Sequence, residues 1–226
     1  MRQVFSWLIS LAVVPVLVVL GLRLMLTPLY IQIEYRLPGF PPDPYGFSQA
    51  DRLHWAELSR QYLLNDAPIA FLGDLRFEDG GAVFNDRELR HMADVKRVVK
   101  GALTVGYAAL AFVLVLGLWA WRRGETAFYR HALARGGWLT MAFVGLIVLF
   151  SVAAFNVFFV AFHRIFFEGD TWLFNYSDTL IRLFPERFWR DAFLWEGGVT
   201  LGLAWILTRL TPLGLLPLLR QGEGGG

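Results

Sequence analysis

Two of the four histidines in this 226-residue chain stand directly beside long apolar segments. His91 lies in "RELRHMADVK" just before one apolar run, and His163 lies in "AFHRIFFEGDTWLF" just after another. Imidazole gains and loses a proton near neutral pH, so two such rings at a membrane surface are candidates for general acid and base catalysis. Whether they can act together depends on the elements that position them.

The composition is typical of an integral membrane protein. Hydrophobic residues make up 56% of the chain and charged residues 18%, with nine Trp and twenty Phe, and the mean hydropathy is +0.46. A bilayer core of about 30 Å requires roughly 20 apolar residues in a helix. We therefore predict a membrane α-helical fold with four transmembrane helices, at about residues 4–26, 98–121, 138–162 and 190–210.

The charges and the ends of these segments predict the topology. The first segment lacks a small-residue cleavage pattern, so we expect a retained anchor, and we interpret the final "GEGGG" as a tail. The short loop at about 122–137 carries four arginines and one acid, whereas residues 27–97 carry eleven acids and eight bases. By the positive-inside rule this loop and both termini are cytoplasmic. The segments at about 27–97 and 163–189 then lie outside, together with both histidines.

The composition argues against two classes of function, cysteine-based chemistry and nucleic-acid binding. The chain has no cysteine, which excludes disulfides, thiolate nucleophiles and thiolate metal sites. Its basic residues are dispersed and partly explained by the topology, so the net charge of +2 does not indicate a nucleic-acid partner. Any catalysis must use other groups.

The first outer segment predicts a small mixed α/β cap. Residues 29–37, "LYIQIEYRL", alternate apolar and polar side chains, which favours a strand. Residues 38–47 contain four prolines and two glycines and predict an irregular connection. Ser48 and Asp51 match a capping box that begins an amphipathic helix, and Asp79-Gly80-Gly81 between apolar runs favours a hairpin.

A continuous helix is predicted from Asn85 into the second span, since Asn85 and Glu88 match a capping box and nothing before Gly101 breaks a helix. If the hydrocarbon begins near Val98, seven residues at about 1.5 Å each place His91 roughly 10 Å outside it, at the level of glycerol esters. Helical spacing puts Arg87, Glu88 and Asp94 on the face of His91.

The segment after His163 has the composition of a chain lying in the membrane interface. An aromatic run, a Glu168-Gly169-Asp170 turn and further aromatic residues follow it, and Asp178 is predicted to cap a short helix. Four aromatic residues are candidate interfacial anchors or walls of an acyl groove: Phe166, Phe167, Trp172 and Phe174. The topology therefore predicts that His91 and His163 share one side and one depth.

These two blocks, in a four-span chain with a large first outer segment, resemble the bacterial lipoprotein intramolecular transacylase family. The resemblance implies that His91 and His163 are the functional pair. It also implies a reaction that moves the sn-2 ester-linked acyl chain of a diacylglyceryl lipoprotein to the α-amine of the N-terminal cysteine, giving the lyso-form lipoprotein. The implied location is the bacterial cytoplasmic membrane, with the site at the outer face and with a lipoprotein substrate and membrane lipid as partners. We expect a monomer.

The residues present fit such a transfer. The acyl donor and acceptor are already tethered, so the enzyme must orient them, move a proton and stabilise an oxyanion, without a protein nucleophile, metal or cofactor. We prefer His91 as general base, with His163 polarising the ester carbonyl or protonating the glyceryl oxygen. Glu88, Asp94 and Asp170 are candidate orienting carboxylates. Lys96, Arg87 and Arg164 are candidates to hold an oxyanion or a phospholipid headgroup.

Two other classes of function stay open. A membrane metal-dependent hydrolase could use His91, Asp94, His163 and Glu168 as ligands, although the chain has no compact metal-binding motif. A non-enzymatic lipid- or lipoprotein-binding accessory protein is the second alternative. For each histidine taken alone, a solvated position at a helix end is the simplest structural explanation.

Overall fold

The computed structural model describes residues 2–210, and the predicted tail lies outside this range. Within it the chain forms nine helices and no β-strand. They are α1 (Arg2–Met25), α2 (Pro28–Glu34), α3 (Gln49–Leu64), α4 (Ala70–Gly73), α5 (Asp86–Arg122), α6 (Thr126–Ala153), α7 (Phe155–Phe166), α8 (Thr179–Leu183) and α9 (Glu186–Thr208).

Among residues 2–210, three helices are long and apolar enough to cross a membrane, namely α1, α5 and α6. The predicted fourth span corresponds to α9, which is long enough but is made less apolar by Asp191 and Glu196. The count of four spans is therefore not confirmed. The predicted third span is divided, because the chain leaves helical geometry at Ala154 and α7 begins at the next residue.

The long helices pack closely where side chains are small. α6 has its most extensive packing against α9 and α1, and α1 also packs along α5. A Cβ atom at Gly136 of α6 would lie 2.6 Å from Cβ of Val13 in α1, so this crossing requires glycine. Ser10 of α1 donates a hydrogen bond of 2.9 Å to the carbonyl of Ala132, which links the same two helices. These contacts make a framework that carries the shorter helices at one end.

The predicted α/β cap is wrong, because the cap is helical in the part of the chain that the structure describes. The predicted strand at residues 29–37 is instead taken up by α2 (Pro28–Glu34), which buries Tyr30, Ile31 and Glu34, and by the turn that follows it. These positions follow helical spacing, so packing against the neighbouring helices outweighs the alternating pattern. At the predicted hairpin the turn forms with Gly80 at φ 86°, but only one bridge pair, Arg76 and Ala82, flanks it.

The two predicted capping boxes are both present. Ser48 and Asp51 exchange hydrogen bonds at the start of α3. Asn85 accepts from the backbone N–H groups of Arg87 and Glu88, while the Glu88 carboxylate accepts from the Asn85 N–H at 2.7 Å. As predicted, α5 then runs without interruption for 37 residues through His91 into the apolar segment. The capping box thus fixes where the helix that carries His91 begins.

Candidate active site

The two histidine rings lie next to each other at one end of the long helices. His91 comes from the first turns of α5 and His163 from the last turn of α7. Their ring centroids are 6.0 Å apart, with an angle of 18° between the ring planes. Their exposed fractions are 7% and 8%, respectively. Two imidazoles that are 72 positions apart in sequence therefore form one buried pair.

Aromatic side chains enclose this pair. The Phe167 ring lies 4.9 Å from the His91 ring and 5.4 Å from the His163 ring, measured between centroids. Phe174 lies 5.4 Å from His91, and Trp172 lies 4.9 Å from His163. The segment that follows α7 therefore folds back over the histidines, and its rings separate them from bulk water.

A backbone hydrogen bond fixes the orientation of His163. Its Nδ1 atom lies 2.8 Å from the carbonyl oxygen of Phe159, one helical turn earlier. A carbonyl can only accept, so Nδ1 carries the proton and Nε2 of the neutral ring keeps a free lone pair. Phe159 was not among the sequence candidates. The bond from a side chain to the carbonyl four residues earlier is the local pattern that would have indicated it.

The two rings differ in the partners of their nitrogens. His91 Nδ1 is buried and has no hydrogen-bond partner among the described residues. Neither Nε2 atom makes a hydrogen bond, and neither is completely buried. Both Nε2 atoms can therefore be reached by a substrate. Placing the single proton of neutral His91 on Nε2 avoids an unsatisfied buried donor at Nδ1. His91 is therefore arranged as a hydrogen-bond donor and His163 as an acceptor.

Burial lowers the pKa of both imidazoles, which lie outside the predicted spans. For His91, removal from water and the adjacent His163 lower the pKa to about 4, against an opposing effect of Asp94. Burial also lowers the pKa of His163, and its hydrogen bond to the Phe159 carbonyl opposes this change. Both shifts favour the neutral form of the rings, which a base and a neutral donor need before reaction.

Glu88 holds the covering segment in place. The side chain is 1% exposed, and its carboxylate accepts from the backbone N–H of Leu180 in α8 at 2.6 Å as well as from Asn85. Burial raises the pKa of Glu88 to about 7, although these N–H donors act in the opposite direction. Arg87 adds a second link, since its Nη1 donates to the carbonyl of Leu173 at 2.9 Å. Both residues join α5 to the chain that covers the histidines.

Of the other charged candidates, Asp94 acts on His91, whereas Lys96, Arg164 and Asp170 form no hydrogen bond or ion pair with the histidine pair. Asp94 forms an ion pair with Arg97 and also acts electrostatically on His91. Lys96 points to the other side of α5, where its Nζ donates to the carbonyl of Ala67 at 2.7 Å. Arg164 and Asp170 are exposed to solvent.

The remaining predictions concern Phe166 and a metal site. Phe166 packs on Phe162 rather than on either histidine, with ring centroids 4.7 Å apart. For the alternative of a metal site, no group of three His, Asp or Glu side chains in residues 2–210 is placed to hold an ion. The pair, its aromatic cover and the links from α5 therefore make up the candidate site.

Long apolar helices that carry a buried, aromatic-walled histidine pair define a helical membrane protein with a candidate acid-base site. Residues 5–189 match the model of the family described as lipoprotein intramolecular transacylase Lit. The chain belongs to this family, which implies a membrane acyltransferase that acts on lipoproteins.

A relative and two solved structures are similar to this protein over most of its length. A protein of Aquifex aeolicus (strain VF5), described only as uncharacterized, is 28% identical over 194 residues, covering 86% of this chain and 87% of the relative. An in meso structure of Lit from Bacillus cereus gives a TM-score of 0.65 at 20% identity, covering 93% of this chain and 94% of that one. A histidine-to-alanine variant of the same protein gives 0.69, covering 93% and 91%. These two structures share the fold.

Proposed function

We propose that this protein converts diacylglyceryl lipoproteins to the lyso form by intramolecular acyl transfer. The sn-2 acyl chain moves from the glyceryl oxygen to the α-amine of the N-terminal cysteine, so one C–N bond forms and one C–O bond breaks. The proton lost by the amine ends on the glyceryl oxygen. The observation that carries this proposal is the buried pair itself, in which the Phe159 carbonyl holds His163 Nδ1 while His91 Nδ1 has no partner among the described residues.

The hydrogen bonds favour the opposite roles from those preferred on sequence alone. His163, held by the Phe159 carbonyl, acts as the base, taking the amine proton on Nε2 and then delivering it to the departing glyceryl oxygen. His91 donates from Nε2 to the oxyanion of the tetrahedral intermediate. Its low pKa keeps His91 neutral, which suits a group that donates a hydrogen bond but takes no part in the proton transfer. No acyl-enzyme, metal or cofactor is part of this proposal.

The substrate enters from lipid in this proposal. The site lies at the outer face of the bacterial cytoplasmic membrane, with α9 as a fourth span, both termini cytoplasmic and the protein a monomer. Phe167, Trp172 and Phe174 contact the two rings and provide an apolar wall for an acyl chain next to the reacting ester.

The test exploits the fact that the proposed reaction is an isomerisation. The purified protein is mixed with a synthetic diacylglyceryl lipopeptide whose sn-2 chain is deuterated. We expect an unchanged intact mass, loss of the free amine and, in fragment spectra, the deuterated chain on nitrogen. Release of the deuterated fatty acid would instead show a hydrolase, and an unchanged substrate would show a binding protein. Either result would overturn the proposal.

A further inference from the structure

A shallow cavity of about 570 Å³, open to the surface, lies on the side of α5 that faces away from the histidines. It is lined by Tyr62, Ile69, Ala93, Lys96, Arg97 and Lys100. Ala93, Arg97 and Lys100 follow the i, i+4, i+7 spacing of one helical face, which is turned away from His91. The cavity is therefore separate from the candidate active site.

Lys96 is part of the wall of this cavity. It is almost completely buried, and its Nζ donates to Asn65 Oδ1 at 3.1 Å and to the Ala67 carbonyl at 2.7 Å. The same ammonium lies 3.9 Å from the centroid of the Tyr62 ring. Lys96 thus ties α5 to the chain after α3 and contributes a fixed positive charge to the cavity.

Arg97 and Lys100 are available for an outside ligand. Arg97 pairs with Asp94, and Lys100 pairs with Asp66. The exposed fractions are 80% for the Arg97 side chain and 99% for the Asp66 side chain. Exposed ion pairs contribute little free energy, so a stronger anionic partner can replace the carboxylates. The three cations Lys96, Arg97 and Lys100 and the two acids Asp66 and Asp94 together carry a net charge of +1. The single negative charge of one phosphodiester would neutralise it.

The surface below the cavity fits hydrocarbon chains. Tyr107, Leu114 and Leu118 are exposed apolar residues of α5, and they continue the face of Lys100 along the helix at positions 7, 14 and 18 further on. Since α5 is apolar enough to cross a membrane, this strip faces lipid. Arg97 and Lys100 lie at the predicted hydrocarbon boundary near Val98, and long basic side chains at such a boundary extend outward to lipid headgroups.

We propose that this cavity binds one anionic glycerophospholipid of the phosphatidylglycerol type. Arg97 and Lys100 hold the phosphodiester, Lys96 and Tyr62 form the floor, and the acyl chains run along Tyr107, Leu114 and Leu118. A headgroup without an amine is preferred because a second cation would oppose the excess positive charge. This ligand is distinct from the lipoprotein substrate, and its binding does not depend on acyl transfer.

Native mass spectrometry of the full-length protein in detergent tests this inference, with phosphatidylglycerol or phosphatidylcholine added. We expect one phosphatidylglycerol molecule to bind in preference to phosphatidylcholine, and the R97Q/K100Q variant to bind it at least about tenfold more weakly, since hydrogen bonds to charged groups are the stronger ones. Arg90→Gln is the matched control, because Arg90 is an exposed base of α5 outside the cavity. Its affinity should equal that of the unchanged protein.

A second variant strengthens the site instead of weakening it. Asp66→Asn removes the carboxylate that competes for Lys100, and because Asp66 is fully exposed this change leaves the fold intact. We expect tighter phosphatidylglycerol binding. Equal affinity in the R97Q/K100Q variant and the unchanged protein would overturn the proposal, as would an equal loss in Arg90→Gln. Displacement of the lipid by millimolar inorganic phosphate would also overturn it, since the site would then bind a free anion.

Discussion

Two clusters of buried ionisable side chains lie at the same end of this molecule. One is the histidine pair between α5 and α7. The other joins α2 to the start of α9, where Glu34 is buried near Asp191 and Arg187, and Arg187 Nε donates to the Asp191 carboxylate. Burial and the charge of Asp191 raise the pKa of Glu34 to about 7, while Arg187 opposes this change. Burial thus shifts the pKa in both clusters.

The clusters differ in what their polar atoms can reach. Glu34 Oε1 is completely buried, and two tyrosines close the same region by donating to the chain around α9: Tyr35 to the Leu183 carbonyl at 2.6 Å and Tyr30 to the Phe188 carbonyl at 3.3 Å. The histidines instead keep an accessible Nε2 each. A shifted pKa alone therefore does not identify an active site. An accessible lone pair and a fixed tautomer distinguish the histidine pair.

The largest effect is expected at His163. His163→Ala should slow acyl transfer by about 10² to 10⁴-fold, because it removes the group that takes and returns the proton. The rate is followed by loss of the free amine of the lipopeptide, and circular dichroism checks that the variant is folded. A rate equal to that of the unchanged protein would show that His163 has no catalytic role, and the histidine pair would then not differ in function from the cluster around Glu34.

His91 is expected to respond to the type of substitution. His91→Ala removes the proposed oxyanion donor and should slow transfer by about 10² to 10³-fold. His91→Gln keeps an N–H donor of similar reach and should retain a measurable part of the rate. If Gln and Ala are equally slow while His163→Gln is faster than both, then His91 is the base and the roles are those preferred on sequence alone.

The sequence predicts those parts of the site that depend on neighbouring residues. The Asn85 and Glu88 pair specifies the start of α5, because a capping box uses groups three residues apart, and α5 then places His91 at the end of an apolar helix. The shared side of His91 and His163 follows from chain topology. These features need no knowledge of distant contacts.

Other features depend on contacts between distant parts of the chain. The Glu88 carboxylate accepts from Leu180, 92 residues away, and no local pattern predicts that bond. Residues 29–37 have strand-like alternation, yet the chain is helical as far as Glu34 because Tyr30, Ile31 and Glu34 all face the packed interior. The sequence makes Lys96 a candidate to hold an oxyanion or a headgroup, whereas its ammonium donates to Asn65 on the other side of α5.

The titration of the two imidazoles sharpens the comparison further. Burial lowers both pKa values, so we expect His91 to titrate near pH 4 and His163 below 6.5, the ordinary value for histidine. At any given pH both rings are therefore less protonated than an ordinary histidine, His91 most clearly so. NMR of protein with labelled histidines measures this directly, with signals assigned by their loss in His91→Gln and His163→Gln. A His91 titration at or above 6.5 would remove the argument for a neutral donor.

The smallest effect on activity is expected from Glu34→Gln, which tests whether the second cluster is only structural. Folding raises the pKa of Glu34 from its ordinary 4.5 to about 7, so the folded state holds an extra proton between these values and stability falls as the pH rises through this range. Glutamine cannot titrate, so the thermal unfolding midpoint should fall less between pH 4.5 and 7, while Glu88 still contributes its own part. Acyl transfer at pH 7 should stay within about twofold of the unchanged protein, because no step of the proposed reaction uses this carboxyl group. A loss of activity as large as that of His163→Ala would place both clusters in one catalytic unit and would contradict the distinction drawn from access and tautomer.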